Sequence, residues 1–327
     1  MTHREIHLIA RPEDTPKAEH FAVVEVPVPE PGPGQVLVRN RLMSVTAVMG
    51  TLVLGEADLP VPPAALGAPL WAPTIGEVVA GDGGNPGDLV VHDQGWREYA
   101  LVDAAAARHV GDELPDPAAH LSQGVIAWLG VRAAEVRAGD TVFVTGAAGG
   151  VGSMVAQFAR LAGAARVIGS TGSPAKGRRL VAEHGYDAVV LRGGGPIEDQ
   201  LRAAAPEGID AVFDNVGGEQ LTAALSIARQ GARVALVGAL STQLSGGFSA
   251  PVEIDTGHLI LRGITLRGMP ASDHLDSIPT ALRAFGDGLR SGAVTFPHTR
   301  FTGIEQAPRA LIELLGGRHF GSVLVEL

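Results

Sequence analysis

The chain has 327 residues, 46% of them hydrophobic, a formal net charge of −10 and no cysteine. That length can fill two cores, and the acid excess gives no basic footprint for nucleic acid or a membrane surface. The missing thiols remove disulfides, thiolate zinc sites and a cysteine nucleophile together. No segment approaches about 20 uninterrupted apolar residues, and the opening MTHREIHLIARPED lacks the apolar stretch of an export signal. The expectation is a cytoplasmic protein with neither membrane nor nucleic acid as a partner.

In chain order, the first ~120 residues alternate short β-rich runs with Pro/Gly turns, as in EVPVPEPGPGQVLVRNRLMSV and TIGEVVAGDGGNPGDLVVHDQGWREYALVD. This predicts a mostly antiparallel β domain. From about Ala119 strands alternate with helices: Thr141 to Val144, Arg166 to Ile168, Ala188 to Leu191, Ala211 to Phe213 and Arg233 to Val237. Such alternation predicts an α/β domain with a doubly wound parallel sheet. Ile264 to Arg267 would add an edge strand, and Ser277 to Leu289 a helix. The tail predicts one more helix and a final strand, which has no place in the parallel sheet and would return to the first domain. The boundaries are residues 1–119 plus 290–327 for the β-rich domain, and 120–289 for the α/β domain.

The segment DTVFVTGAAGGVGSMVAQFARLAG carries the strongest signal. An apolar strand turns on Gly146, Gly149 and Gly152 into a helix with Met154, Val155, Phe158, Ala159 and Leu161 at helical spacing. Glycines there permit a tight turn, let main-chain N–H groups approach a pyrophosphate and bring the helix N-terminus towards the anion. No Lys-Ser/Thr pair follows the last glycine, which argues against a nucleoside triphosphate loop.

An acid at the end of the next strand would hold the ribose 2′-hydroxyl of NAD. None stands there. Ser170, Gly172, Ser173, Lys176, Arg178 and Arg179 come first, and the first carboxylate is Glu183. Hydroxyls and a lysine suit a 2′-phosphate, which a carboxylate would repel. The dinucleotide expected is NADP(H).

AAGGVGS at Ala147 to Ser153, GSPAK at Gly172 to Lys176, FDNVGG at Phe213 to Gly218 and VGALST at Val237 to Thr242 together resemble the medium-chain dehydrogenase/reductase superfamily. Within it, the chain is similar to the zinc-free NADP-dependent alkenal/enone, prostaglandin and quinone reductases, over nearly its whole length. The resemblance implies a Rossmann domain beside a GroES-like catalytic domain, and a homodimer. It gives the pyrophosphate to Gly149, Gly150 and Val151, and the 2′-phosphate to Gly172, Ser173 and Lys176. It places Asn215 beside the nicotinamide ribose and lines the nicotinamide with Val237, Gly238, Ala239, Leu240 and Ser241.

The chain also departs from the family. Arg192 stands where relatives often carry a tyrosine against the 2′-phosphate, and His319 where the branch has asparagine. Thr46-Ala47-Val48 follows Ser44-Val45 where relatives show Asp-Pro-Tyr, so substrate recognition is expected to differ. Trp128 falls where relatives place a tyrosine, and reads either as a wall for a flat substrate or as a buried helix residue. Ser44 and Thr46 are weaker candidates for donors to substrate. Tyr99 and Tyr186 are expected to be structural. TIGEVV around Glu77 lacks the histidine of the zinc enzymes' Gly-His-Glu segment, and the eleven histidines show no metal-ligand spacing.

The function implied is zinc-independent hydride transfer from NADPH to an activated C=C bond or a quinone, with no side-chain general acid to name and water as the proton source. Two other readings remain open: an enoyl reductase tailoring a bulky polyketide or acyl substrate, and an NADPH-binding protein without catalysis.

Overall fold

A computed structural model describes residues 1–55, 62–243 and 249–327. The chain forms two compact units, residues 1–122 with 298–327, and residues 123–241 with 249–297.

The first unit opens with β1 (Thr2–Leu8) and β2 (Phe21–Pro27), an antiparallel pair, then the long β3 (Gln35–Val45) and a helix, α1 (Val48–Leu54). β4 (Ala68–Pro69), β5 (Thr74–Gly81), β6 (Leu89–His92), β7 (Tyr99–Asp103) and β8 (Arg108–His109) follow. Alternation along β3, β5 and β7 turns Val36, Val38, Val78, Ala100 and Val102 into one small core. Helix α1 is not among the expected elements. Met49 to Val53 are all buried, so the segment is apolar on every side and carries no helical period for the sequence to display.

In the second unit, α2 (Gly124–Ala133) leads into β9 (Thr141–Val144), α3 (Gly152–Leu161), β10 (Arg166–Thr171), α4 (Pro174–Glu183) and β11 (Ala188–Leu191). Then come α5 (Ile197–Ala204), β12 (Ile209–Asp214), α6 (Gly218–Ser226), β13 (Ala228–Leu236), α7 (Leu240–Gln243), α8 (Thr256–Arg262), β14 (Thr265–Gly268) and α9 (Ile278–Ser291). The six strands are parallel in the order β11-β10-β9-β12-β13-β14. This is the doubly wound order whose switch point lies between its first and fourth strands, here β9 and β12. Phe143, Ile168, Val212 and Val234 fill the layer beneath the helices. The stripe expected on α3 needs one correction. Met154, Val155, Phe158 and Ala159 are buried, but Leu161 ends the helix 58% exposed, one step past the last turn that faces the sheet.

The tail returns to the first unit. β15 (His298–Thr302), unforeseen in the sequence, pairs parallel with β16 (Ser322–Glu326), and α10 (Ala307–Leu315) joins them. β16 lies antiparallel to β3, closing a sheet in the order β15-β16-β3-β5-β6-β8, with β7 also on β3. Val323 and Val325 complete a core with Ile6, Leu8, Met43, Trp96 and Leu311. Among the described residues no helix is long and apolar enough to cross a membrane.

Candidate functional site

The glycine loop follows the carboxyl end of β9, at the switch point where β9 pairs with β12. Gly146 adopts φ +62°, its N–H donates to Ser170 Oγ at 3.0 Å, and the Ala147 N–H donates to the Ser170 carbonyl at 2.9 Å. The loop is thereby tied to β10. Gly152 must be glycine, because a Cβ there would lie 2.4 Å from the Gly146 carbonyl oxygen and 2.7 Å from Ala147 Cα. The close approach of α3 to its strand depends on that missing atom. Gly149 forms the exposed crest, with Gly150 and Val151 half-buried behind it, where the first N–H groups of α3 have no intrahelical acceptor.

Tyr186 supports the loop from below. It is buried against Gly169, and its hydroxyl donates to the Gly152 carbonyl at 2.5 Å. Burial holds the phenol well above its usual range, so it stays protonated and donating.

A buried polar knot fixes the other side of the switch point. Asp214, 1% exposed, accepts from the Thr145 hydroxyl at 2.7 Å and from the N–H groups of Val216 and Gly217. Burial raises its pKa, and the Thr145 hydroxyl heads the donors that oppose the rise. The next segment is stitched alongside: the N–H groups of Val237 and Gly238 donate to the Asp214 carbonyl, that of Leu240 to Asn215 and that of Ser241 to Val216. A Cβ on Gly238 would meet the Asn215 carbonyl oxygen at 2.9 Å, so this packing also requires a glycine. Asn215 and residues 237–241 thus share one edge with the glycine loop.

At the end of β10, Ser173 caps α4 by accepting from the Lys176 N–H at 3.4 Å. Burial lowers the pKa of the Lys176 ammonium. Thr171 pairs with Leu191 across β10 and β11, and the Arg192 N–H donates to the Thr171 carbonyl at 3.0 Å. Gly172, Ser173, Lys176 and Arg192 therefore meet at one corner of the sheet, without a carboxylate at the strand end. The glycine cradle and this cation-bearing corner fit a dinucleotide carrying a 2′-phosphate.

Trp128 lies on α2 of the same unit, half-buried, with the Arg132 guanidinium 5.5 Å from its ring centroid. It is not part of the buried core. Ser44, Thr46 and His319 belong to the first unit. Ser44 is 1% exposed on β3, opposite Leu324, and Thr46 Oγ1 is buried without a hydrogen-bond partner among the described residues. His319 Nε2 lies 3.0 Å from Glu313 Oε2, and its ring stands edge-on to Phe301 at 5.3 Å. Tyr99 begins β7 and shares its backbone ladder with Arg39 of β3. Among the described residues no group of three or more His, Asp or Glu is placed to hold a metal ion. The residues that sequence reading passed over are Thr145, Asp214 and Gln220; Ser170, read there among the hydroxyls suited to a 2′-phosphate, is instead buried, its hydroxyl accepting from the Gly146 N–H and donating to Gln220.

A parallel sheet with a glycine loop at its switch point in one unit, and a strand-rich unit completed by the C-terminus as the other, is the architecture of a two-domain dinucleotide-dependent oxidoreductase. Residues 150–286 match the family described as zinc-binding dehydrogenase, and residues 4–110 match the N-terminal domain of oxidoreductase. YfmJ of Bacillus subtilis, provisionally named an NADP-dependent oxidoreductase, is 32% identical over 99% of this chain and 97% of its own. The NADPH-dependent curcumin reductase of Escherichia coli is 29% identical over 98% of this chain and 95% of its own. The crystal structure of CurA from Vibrio vulnificus in complex with NADPH superposes with a TM-score of 0.89 at 27% identity, covering 99% of this chain and 98% of that one. The chain belongs to the medium-chain dehydrogenase/reductase superfamily, in its NADPH-dependent alkenal and quinone reductase branch.

Proposed function

We propose that this protein uses NADPH to reduce an activated C=C bond of an enone or alkenal, or a quinone, without a zinc ion. The observation that carries the reading is the corner at the end of β10, where Lys176, Ser173 and Arg192 gather and no carboxylate stands. The named activities of the relatives support it. The metal-free part rests on a chain without cysteine and on the missing histidine before Glu77.

Bound nicotinamide supplies the hydride. The chain's own residues bind and orient: the loop at Gly149, Gly150 and Val151 takes the pyrophosphate through the N–H groups of Gly150 and Val151, since that of Gly149 donates to the Gly146 carbonyl, and Ser173 and Lys176 take the 2′-phosphate. Asn215, held rigidly by Thr145, takes the nicotinamide ribose, and Val237 to Ser241 line the nicotinamide. No side chain is assigned as general acid, and the proton on the product comes from water. A homodimer accords with β14, hydrogen-bonded among the described residues only to β13, and with Ile260 and Leu261 of α8, 79% and 81% exposed.

The test is loss of reduced-nicotinamide absorbance with a panel of enones, alkenals and quinones. Turnover is expected, faster with NADPH than NADH and unchanged by a chelator. Tight NADPH binding with no turnover across the panel would replace this reading with the non-catalytic one, and reduction of bulky enones alone would point to a tailoring enzyme. Leu261→Asp should convert dimer to monomer in light scattering.

A further inference from the structure

The formal charge of −10 is divided unevenly along the chain. The first unit holds ten lysines and arginines against twenty aspartates and glutamates, and the second holds fifteen of each, so the first carries the whole excess. Most of its cations are also committed to its own acceptors. Arg4, Arg41, Arg300 and Arg309 pair with Glu98, Glu77, Glu326 and Glu313 at 2.6–3.1 Å, and Arg11 and Arg97 donate to the Val53 and Gly95 carbonyls. The acids Glu13, Glu19, Glu25, Glu30, Asp82 and Asp103 are exposed, so their charge projects into solvent.

We propose that the acceptor is an uncharged or cationic enone, alkenal or quinone taken free from solution, and that an acyl group carried on coenzyme A or another polyanionic handle is disfavoured by the field of the first unit. This rests on the reductase reading above and on the expectation that the β-rich unit receives the acceptor. NADPH is itself a polyanion, and the charge division keeps the excess off the unit that holds the glycine loop and Lys176. A polyanionic acceptor meets that excess. Its encounter is slowed and its affinity lowered with every contact at the reacting carbonyl intact, whereas a neutral acceptor is indifferent to the field. Salt exposes the difference, because the screening length falls from about 30 Å at 0.01 M to about 8 Å at 0.15 M.

The experiment measures kcat/KM at saturating NADPH for two matched pairs, each with one reacting group. The first pair is crotonyl pantetheine and crotonyl coenzyme A. The second is an aryl enone with a distal methyl group and the same enone with a distal phosphate. At about 0.01 M salt the anionic member of a pair that turns over is expected to be slower by roughly tenfold or more, and the gap should shrink severalfold at about 0.3 M, with the neutral member little changed. Glu13→Lys, Glu25→Lys and Glu30→Lys made together should narrow the gap at low salt and leave the neutral member alone, with thermal melting to report folding. An anionic acceptor turned over as well as its neutral partner at low salt would overturn the proposal. So would a gap that neither salt nor the triple variant moves, which would be steric in origin. NADPH binding with no turnover of either pair or of free enones and quinones would sink the reductase reading beneath it instead.

Discussion

Asn215 and Thr145 hold each other from the ends of adjacent parallel strands: the Asn215 N–H donates to Thr145 Oγ1 at 2.7 Å, and its Nδ2 donates to the Thr145 carbonyl at 2.8 Å. The same hydroxyl donates to Asp214. One hydroxyl therefore satisfies a buried carboxylate and fixes the Asn215 backbone at the switch point.

Thr145→Val keeps the shape and removes the hydroxyl. It should cost about 2–4 kcal/mol, because a buried carboxylate loses a donor and the Asn215 N–H loses its acceptor. Asp214 already has a raised pKa, and losing its largest opposing donor raises it further. The penalty should therefore be greatest at neutral pH, where the carboxyl of the unfolded chain is ionised, and shrink towards about pH 3, below the ordinary aspartate value of 3.8, where it is largely protonated in both states. Denaturant unfolding at the two pH values measures this, with Thr145→Ser expected to restore most of the loss. A penalty that does not change with pH would remove Asp214 from the explanation.

Tyr186→Phe addresses the loop from its underside. The hydroxyl lost is the buried donor to the Gly152 carbonyl, so stability should fall by about 1–2 kcal/mol. If the loop holds the pyrophosphate as proposed, a group common to both cofactors, titration should show NADPH and NADH weakened by similar factors. The pH profile of turnover should stay unchanged, because this phenol is buried beneath the loop. A shifted profile would mean that Tyr186 takes part in proton transfer and is not purely structural.

The outlines of the second unit were legible because apolar strands and amphipathic helices write their period into the chain. β9 and β11 have the bounds the pattern suggested, whereas β13 starts five residues earlier, in ARQGA, whose exposed polar residues conceal a strand. Helix α1 and β15 were missed for opposite reasons, the first apolar on all sides and the second largely polar. At the site, glycine spacing exposed the loop. Thr145 and Asp214 gave no such sign, since each is a single polar residue with partners at the end of another strand, up to 70 positions away.

His92 provides a stability switch in the first unit. Its Nδ1 accepts from the Gln94 N–H at 3.0 Å, so Nε2 carries the proton and donates to Asn40 Oδ1, also at 3.0 Å. Asn40 is itself pinned by the Gln94 and Arg97 carbonyls. Burial, with a smaller push from Arg97, lowers the pKa from 6.5 to about 4. The neutral ring is favoured in the folded chain, so its stability is complete above pH 6.5 and declines as pH falls towards 4, by about 3 kcal/mol in all. His92→Gln replaces it with a group that does not titrate. The wild-type advantage over this variant, measured by denaturant unfolding, should narrow by about that amount between pH 7 and pH 4. A constant difference would mean that His92 does not protonate on unfolding.

Lys176 should separate the two cofactors by charge alone. Its ammonium is partly desolvated at the α4 N-terminus, which lowers its pKa, and a phosphate beside it would favour the charged form. NADPH affinity should therefore decline as pH rises through the alkaline range, at a lower pH than for an exposed lysine, while NADH affinity stays level. Lys176→Ala should weaken NADPH by roughly tenfold or more with little effect on NADH, and should abolish the alkaline decline. Lys176→Arg should retain selectivity and move the decline beyond the measurable range, because a guanidinium does not lose its proton there. Titrating both cofactors between pH 7 and pH 10 decides the matter: an alkaline decline that persists in Lys176→Ala would mean another group carries it, and parallel losses for NADPH and NADH would place Lys176 on a part of the molecule the two cofactors share.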